Sequence, residues 1–377
     1  MKIYLTQENQ KQNSISDILE YVMNNGAVTR REIQRETGFS WGTVSENAAE
    51  LISRGYLLEE KDVSKGKAGR TGFVLKLNGE QIACIGIDIN KIGMSAVVMS
   101  FDREVKHSFF REFTAQNKEE VIDSALSLCD EAFEFCKGKY KVLSIGLAVQ
   151  GSVDNKSGVS LRFPIKSGWS KVNLKELFEE KYGVFTYVDH DPKCMLLAKA
   201  HELKKEEGNT LKNLMLIRVD KGIGMSVMLD SRICEDVNKM ELAHTLAVYN
   251  GLKCNCGRKG CLEAYSSISG ISARCGVSFD EVLKNRERYV TILEEGTRLL
   301  AIALHNASML FYPDKIILTG DYVSRDESFV EKLKEYFYEL DSIEGRKKIE
   351  ICADKNISAA FGAALKSQIE AVKNLQI

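Results

Sequence analysis

The first eighty residues carry a succession of helix starts and stops that few folds accommodate. The earliest apolar positions recur with the i, i+3, i+4, i+7, i+8 spacing of one helical face, at Ile15, Ile18, Leu19, Val22 and Met23. Thr29 and Glu32 have the spacing of a capping box, which predicts a second helix after Thr29. Ser40 predicts the start of a third helix, and Gly38 predicts the turn between the two. Two short helices joined in this way are typical of a helix-turn-helix.

The third predicted helix would expose its first turn. In a helix-turn-helix, the corresponding turn lies in the major groove of DNA. The side chains that we expect to contact DNA from this turn are Ser40, Trp41, Thr43 and Ser45. Two strand patterns, at residues 56–60 and 73–77, flank a basic glycine-rich segment, which indicates a wing. Its basic residues Lys65, Lys67 and Arg70 can neutralise phosphates or enter the minor groove.

These signals agree on an all-α winged helix-turn-helix DNA-binding domain over residues 1–80. The net charge of the whole chain is only −1, so any contact with DNA must come from a local basic patch. The alternative for this segment is a three-helix protein-interaction module with a solvated charged loop.

After residue 80, buried-type strands alternate with helical patterns. A hairpin pattern at residues 82–99 recurs at 214–229, and further strands are predicted at 142–149 and 315–320. The recurrence predicts two topologically related α/β lobes with a cleft between them. We expect the first lobe to comprise residues 81–190 and 355–377, and the second lobe to comprise residues 191–354.

Three thiols fall within eight positions of the second lobe. Gly257 and Gly260 lie among them and let the loop turn tightly around a small ion. An imidazole ten residues upstream completes a closed set that suits tetrahedral structural Zn²⁺. The predicted metal ligands are His244, Cys254, Cys256 and Cys261. The alternative is a buried or redox-active cysteine cluster.

The cysteine content also bears on the compartment. The chain has 10 cysteines, and its first residues lack the apolar run of a signal peptide. Thiols without a secretion signal favour a reducing compartment and metal binding over disulfides. No apolar stretch has the length of a membrane span, so we expect a cytoplasmic protein without membrane contact.

The metal motif Cys-x-Cys-Gly-x-x-Gly-Cys-x-Glu over residues 254–263, preceded by Glu241-x-x-His244, resembles the ROK family of repressors, open reading frames and sugar kinases. The resemblance spans essentially the whole chain. It implies a two-lobed α/β sugar-kinase-like domain of the actin/hexokinase ATPase type after the winged helix. It also implies a structural zinc on the predicted ligands, and a sugar pocket lined by Glu241, Glu263 and His244.

Two further family motifs are altered on the sugar side. The Glu-Asn-Asp-Ala-Asn segment of family kinases corresponds to Asp-His-Asp-Pro-Lys at residues 189–193, so Asp191 keeps the general-base position while both asparagines are replaced. The family loop Asn-Leu-Pro-Gly-Trp corresponds to residues 165–169, where Ile165 replaces the asparagine and Gly168 remains. The ligand-binding residues that the resemblance implies are Gly168, Asp191, Glu241, His244 and Glu263.

The nucleotide motifs of the family are altered more severely. Asp-x-Gly-Gly-Thr corresponds to Asp-Ile-Asn-Lys-Ile at residues 88–92, and Gly-Thr-Gly-Ile-Gly corresponds to Asp-Lys-Gly-Ile-Gly at 220–224. The adenosine-side glycine run survives only as Thr-Gly-Asp at 319–321. Losing the glycines removes room for phosphate, and the carboxylate of Asp220 repels it unless a metal or Lys221 offsets the charge. We therefore expect no ATP binding and no catalytic residue, with Asp191 as the base if the chain were active.

The sequence thus predicts a sugar-responsive transcriptional regulator of repressor type with a degenerate kinase domain. Its expected partners are operator DNA, a sugar or sugar-derivative effector, and a second copy in a homodimer, or further copies in a tetramer. A ligand bridging the lobes would favour a closed state and change the spacing of two recognition helices. The alternatives are an ATP-dependent sugar kinase with an appended DNA-binding domain, and a constitutive DNA-binding regulator without a sugar ligand.

Overall fold

The computed structural model describes residues 7–62, 72–91, 93–112, 114–165, 168–208, 210–235, 240–341 and 348–375. The chain divides into two compact units. The first unit comprises Met1–Asp191 and Ala359–Ile377, and the second comprises Pro192–Ser358. Within the described residues, no helix is both long and apolar enough to cross a membrane.

The secondary structure alternates helices and strands after an N-terminal helical segment. The helices are α1 (Gln7–Asn25), α2 (Arg30–Thr37), α3 (Trp41–Ser53), α4 (Lys118–Cys136), α5 (Leu174–Tyr182), α6 (Asp191–Glu207), α7 (Glu263–Ser266), α8 (Ile268–Cys275), α9 (Phe279–Lys284), α10 (Val290–Phe311), α11 (Asp321–Arg325), α12 (Glu327–Leu340) and α13 (Ala359–Lys373). The strands are β1 (Leu57–Lys61), β2 (Phe73–Leu77), β3 (Ile82–Asn90), β4 (Gly93–Ser100), β5 (Val105–Glu112), β6 (Lys141–Val149), β7 (Ser152–Asp154), β8 (Val159–Arg162), β9 (Val172–Asn173), β10 (Phe185–His190), β11 (Leu214–Val219), β12 (Ile223–Leu229), β13 (Arg232–Ile233), β14 (Lys315–Thr319) and β15 (Glu350–Ala353).

The N-terminal helices begin and end where their capping residues predict. The Thr29 hydroxyl accepts a hydrogen bond from the Glu32 N–H (3.2 Å), and the Glu32 carboxylate accepts one from the Thr29 N–H (2.7 Å). Gly38 ends α2 with φ of 73°, a left-handed conformation that glycine adopts without strain. Ser40 caps α3 by accepting from the Thr43 N–H at 3.1 Å. The predicted helix-turn-helix is therefore confirmed.

The helix-turn-helix is held together by an apolar core with one polar contact inside it. The predicted apolar face of α1 is buried, and it packs with residues of α2, α3, β1 and β2 in one cluster. The buried Asn47 amide of α3 donates to the Ser14 hydroxyl of α1 at 2.7 Å, so each polar side chain has a hydrogen-bond partner. Strands β1 and β2 pair antiparallel from Leu57–Leu77 to Lys61–Phe73. The α1 and α3 helices thus form a single packed body.

The first unit is built on the five-stranded sheet β10-β6-β3-β4-β5. Strands β3, β4 and β5 form an antiparallel meander, and β6 and β10 run parallel to β3. Alternate side chains of a strand point to the same face of the sheet, so Ile85 and Ile87 of β3 share one face. That face packs against α4. On the opposite face, α13 packs against β3, β6 and β10.

The approach of α13 to the sheet depends on two glycines. Gly86 of β3 and Gly146 of β6 are direct neighbours in the register. A Cβ on Gly86 would lie 1.9 Å from the Ala360 carbonyl oxygen, and one on Gly146 would lie 1.9 Å from that of Ala363. Only the absence of a side chain lets the helix backbone lie directly on these strands.

The second unit is built on the five-stranded sheet β13-β12-β11-β14-β15. Its strands repeat the pattern of the first sheet, with an antiparallel meander β11-β12-β13 followed by the parallel strands β14 and β15. The large apolar core of this unit joins the sheet to α8, α9, α10 and α12. The common strand order agrees with the relation between lobes that the recurring hairpin pattern predicts.

Candidate functional site

The four predicted metal ligands come together in the second unit. One donor atom from each of His244, Cys254, Cys256 and Cys261 lies within 4.8 Å of all the others. His244 Nδ1 is 3.7 Å from Cys254 Sγ, and the sulfurs of Cys256 and Cys261 are also 3.7 Å apart. Zinc–sulfur bonds of about 2.3 Å place two sulfurs of a tetrahedron roughly 3.7 Å apart. The group therefore has the composition and spacing needed to hold a metal ion.

The loop that carries these ligands is fixed by its own backbone. The Cys254 N–H donates to the Arg258 carbonyl at 2.8 Å, which closes a tight turn. Gly260 has φ of 79°, and a Cβ there would lie 1.8 Å from the Val248 carbonyl oxygen. The Ala247 N–H donates to the Gly260 carbonyl at 2.8 Å. These bonds hold the thiols beside His244, which ends a short 3-10 helix, Leu242–His244.

The three thiols differ in how readily they ionise. Burial raises the pKa of Cys254 to about 12, and burial also raises the pKa of Cys261. Cys256 is exposed, and hydrogen bonds from the backbone and then the side chain of Arg258 lower its pKa to about 6. Thiolates are the metal-binding form, so a divalent cation would supply the charge that the two buried thiols need in order to ionise.

Two predicted sugar-pocket carboxylates lie beside the metal group in sequence and in the fold. Glu263 is the first residue of α7 and is half-buried, with one carboxylate oxygen 3.8 Å from Cys254 Sγ. Its other oxygen would lie 2.8 Å from a Cβ on Gly222, so it packs directly against that glycine. Glu241 is exposed and precedes the 3-10 helix, where its carbonyl accepts from the His244 N–H at 2.9 Å.

The other two predicted ligand-binding residues belong to the first unit. Asp191 follows β10 as the first residue of α6, and it is only 3% exposed. His190, which replaces an asparagine of the family motif, places Nε2 3.4 Å from Asp191 Oδ1. Gly168 is exposed with φ of 87°, a conformation that favours glycine. The neighbouring Trp169 donates to the Ser160 hydroxyl at 3.1 Å.

Lys193 lies two residues after Asp191, and the sequence analysis assigned it no role. It stands at the second replaced asparagine and is 2% exposed. Its ammonium group donates to the Glu235 carbonyl at 2.8 Å and lies 3.4 Å from the carboxylate of the same residue. A buried ammonium here fastens α6 to the segment that precedes Glu241.

In the segments that the sequence analysis aligned with nucleotide motifs, several polar groups are hydrogen-bonded within the protein. In the first unit, the Lys91 N–H donates to the Gln150 side-chain carbonyl at 3.2 Å. In the second unit, the Asp220 carboxylate accepts from Arg218 Nε at 2.5 Å and also from the Asp321 N–H. Both backbone N–H groups are thus hydrogen-bonded to side chains of the protein itself. Ile92 lies outside the described residues.

The predicted DNA-contacting turn is exposed, although its residues differ in role. Trp41 is 50% exposed at the start of α3. The Ser40 hydroxyl bonds to the Thr43 N–H and lies 2.8 Å from the Thr43 hydroxyl, so it serves first as a cap. Thr43 and Ser45 are half-buried. The three basic residues predicted in the wing lie outside the described residues, at Lys65, Lys67 and Arg70.

Similarity to known proteins covers both parts of the chain. Residues 84–366 match the ROK family, and residues 14–57 match a winged helix-turn-helix DNA-binding family. The chain is 24% identical to the xylose repressor of Caldicellulosiruptor bescii in an alignment that covers 92% of each protein. A crystal structure of a ROK family transcriptional regulator, a homologue of the E. coli MLC protein, has a TM-score of 0.78 at 19% identity and covers 97% of each chain. A ROK hexokinase from Thermus thermophilus has a TM-score of 0.66 at 20% identity over 77% of this chain and 99% of that one.

Proposed function

This chain belongs to the ROK family, and from that membership we propose that it is a sugar-responsive, DNA-binding transcriptional regulator of repressor type. The observation that carries the proposal is the capped helix α3, whose exposed first turn stands at the end of a compact helix-turn-helix joined to a ROK domain. A sugar kinase has no use for such a helix. The similarity to a xylose repressor along 92% of each protein supports the same function.

The DNA partner follows from the exposed turn of α3. Trp41, Thr43 and Ser45 are the side chains that would reach base edges in the major groove, while the basic wing would neutralise phosphates. Recognition by a homodimer would place two copies of α3 about one helical turn apart on operator DNA. We assign Ser40 mainly to capping, because its hydroxyl is bonded within the turn.

A sugar or sugar derivative is the effector that the retained polar residues favour. Asp191, Glu241 and Glu263 supply carboxylates that accept hydrogen bonds from hydroxyls, and the second ring nitrogen of a metal-bound His244 would donate one. Gly168 carries no side chain to obstruct a ligand. Ile165 is half-buried against the apolar core of the first unit and offers no hydrogen bond. The effector would therefore be bound without one hydrogen bond that family kinases make to a hexose.

The metal group fits a structural zinc. Three thiolates and one imidazole form the closed, four-coordinate donor set typical of structural rather than catalytic sites. Held by His244 and the cysteines, the ion would fix the loop that ends at Glu263, and with it the orientation of that carboxylate.

Catalytic phosphoryl transfer is the less favoured function. The Asp220 carboxylate accepts a hydrogen bond from the Asp321 N–H. Its negative charge would repel a phosphate group bound near Asp220. The only residue that supports the enzyme alternative is Asp191, which keeps the position of the general base. We expect no turnover of ATP with any monosaccharide, and turnover that Asp191→Asn abolishes would contradict this.

Two measurements test the regulator. Thermal-shift screening against monosaccharides, amino sugars and their phosphates should find a compound that raises the melting temperature. Glu263→Gln should lose most of that shift, while Glu281→Gln, an exposed glutamate of α9, should keep it. If no compound shifts the melting temperature, the constitutive DNA-binding alternative is favoured. Selection from a random duplex pool should recover a preferred sequence, and its absence would contradict DNA recognition.

A further inference from the structure

The turn between β4 and β5 holds an arginine in an unusual backbone conformation. Arg103 has φ of 70°, where glycine and asparagine are the ordinary residues. Its N–H donates to the Ser100 carbonyl at 2.8 Å, and the Ser100 N–H donates to the Glu104 carbonyl at 2.9 Å. These backbone bonds would form equally well with a glycine at position 103. The arginine must therefore be explained by what its side chain contacts.

The guanidinium of Arg103 joins two helices of the first unit. Its Nη1 donates to the Met23 carbonyl in the last turn of α1 at 3.1 Å. Its Nε donates to the side-chain oxygen of Gln368 in α13 at 3.0 Å. Because a guanidinium can only donate, the Gln368 nitrogen is left free to donate in turn, and it bonds to the Phe101 carbonyl at 2.6 Å. Gln368 is fully buried, whereas Arg103 is half-buried with its Nη2 atom shielded from solvent.

Placing the Arg103 guanidinium in this network costs free energy, because the charged group is largely removed from water. Burial lowers the pKa of Arg103 to about 10. Among the described residues no carboxylate pairs with its guanidinium, and Nη2 has no hydrogen-bond partner. Even a buried ion pair can often be replaced by apolar side chains of similar volume without loss of stability, and this guanidinium lacks the attraction of a carboxylate partner. The bonds to Met23 and Gln368 therefore point to a role in position rather than in stability.

Arg103 contacts α1, and α1 packs against the recognition helix α3. The buried contact between Asn47 and Ser14 and their shared apolar core make α1 and α3 one body. On the other side, Val372 and Leu375 from the C-terminal segment belong to that same apolar cluster. The chain enters α13 at Ala359, immediately after the second unit ends.

We propose that Arg103 and Gln368 form a latch that fixes the orientation of the helix-turn-helix on α13. The recognition helix α3 would then move together with α13, the helix that directly follows the second unit in the chain. Arg103 is a positioning residue in this arrangement and need not touch DNA. The inference rests on the proposed DNA-binding function, because the pose of α3 decides which half-site spacing a dimer can bind.

Replacement of Arg103 by methionine opens the latch while keeping its bulk. We expect Arg103→Met to fold but to melt roughly 2–8 °C below the wild type, because the Met23 carbonyl and the Gln368 side-chain oxygen lose their donor. Amide hydrogen exchange in the last turn of α1 and in α3 should become roughly tenfold faster, with β3 and β6 unchanged. Arg111→Met is the matched control, because Arg111 lies in the same sheet and contacts α4 rather than the helix-turn-helix. Gln368→Met opens the latch from the α13 side and replaces Arg103→Met if that variant does not fold.

The DNA arm uses duplexes that carry two copies of the half-site selected by the wild type, at a series of spacings. The wild type should prefer one spacing, and Arg103→Met should reduce that preference at least about threefold while still binding a single half-site. Unchanged exchange together with unchanged spacing preference would overturn the latch. If the wild type selects no half-site, the proposed function fails, while the exchange arm still decides whether Arg103 fixes the helices.

Discussion

At the scale of single residues, Cys256 is the exposed member of the metal group, so its replacement removes a ligand with little loss of packing. We expect Cys256→Ser to lower the zinc content of protein purified without chelator from about one ion per chain to well below half. The melting temperature should fall as well, because a structural metal contributes folding free energy. Cys275→Ser, a half-buried thiol outside the group, should retain the metal. Equal zinc contents in the two variants would contradict the assignment.

A substitution at Asp220 probes the turn after β11, where its carboxylate bridges two other residues. Its carboxylate joins Arg218 to the Asp321 N–H, and its side chain is 20% exposed. Asp220→Asn should lower the free energy of unfolding by about 1–3 kcal/mol, because a charge-assisted pair becomes neutral and the amide can satisfy fewer donors. Asp280→Asn is the control, since Asp280 is 69% exposed beside Arg325 and should cost less than about 1 kcal/mol. Chemical denaturation measures both, and equal losses would count against a bridging role.

The residues that sequence analysis identified are those whose roles depend on near neighbours. The four predicted metal ligands lie within eighteen positions, from His244 to Cys261, and their donor atoms come together. Gln150 lies 59 positions from its partner Lys91, and Arg103 lies 265 from Gln368. Partnerships of that kind arise only when the fold brings distant segments together, so no spacing rule could have predicted them.

At the scale of helices and strands, the packing of α13 on the sheet makes a severe demand on Gly146. A methyl group there would lie 1.9 Å from the Ala363 carbonyl oxygen, and neither backbone can yield easily. Gly146→Ala should therefore destabilise the protein by about 3 kcal/mol, at the upper end of the range for overpacking. In β4, a Cβ on Gly93 would meet only ordinary contacts from 3.5 Å, so Gly93→Ala should cost far less. Comparable melting temperatures for the two variants would show that α13 can shift away from the strands.

The success of element prediction followed the strength of the local signals. Helices α2 and α3 have side-chain caps and glycine stops, and their predicted starts were confirmed. The sequence analysis did not identify several elements, among them the long helices α6, α12 and α13. It also missed β5, in which no residue is fully buried, and β15, which is only four residues long. Such strands are fixed by pairing with neighbours that are distant in sequence, and they carry too few apolar positions to be recognised by periodicity.

At the scale of the whole molecule, the two units share one strand order but contain different additional elements. In each sheet an antiparallel meander is extended by two parallel strands. The first unit also contains the helix-turn-helix, which packs on its C-terminal helix, and the second unit also contains the loop that carries the predicted metal ligands. The recurrence of the hairpin pattern made the common topology predictable. The packing of the N-terminal helices on α13 was not predictable, because its contacts join opposite ends of the chain.

The charge of the molecule also limits how it can attract DNA. With a net charge of −1, the protein as a whole provides no electrostatic attraction, so the salt dependence of binding should come from a few local cations. Replacing Lys65, Lys67 and Arg70 together by alanine should reduce the slope of log affinity against log salt by about 2.7, at roughly 0.9 for each phosphate that is no longer neutralised. The decrease in affinity should be similar for every DNA sequence. Fluorescence anisotropy at a series of salt concentrations measures this slope.

Thr43→Ala provides the contrasting variant, because Thr43 lies in the exposed turn of α3 and carries no charge. Its salt slope should match the wild type, while its preference for the selected sequence over a scrambled one should fall by about 1–3 kcal/mol. Capping is preserved in part, since the Ser40 hydroxyl still accepts from the backbone N–H of residue 43. If the wing variant lost sequence preference and Thr43→Ala lost salt dependence instead, the assignment of base contacts to α3 and phosphate contacts to the wing would have to be reversed.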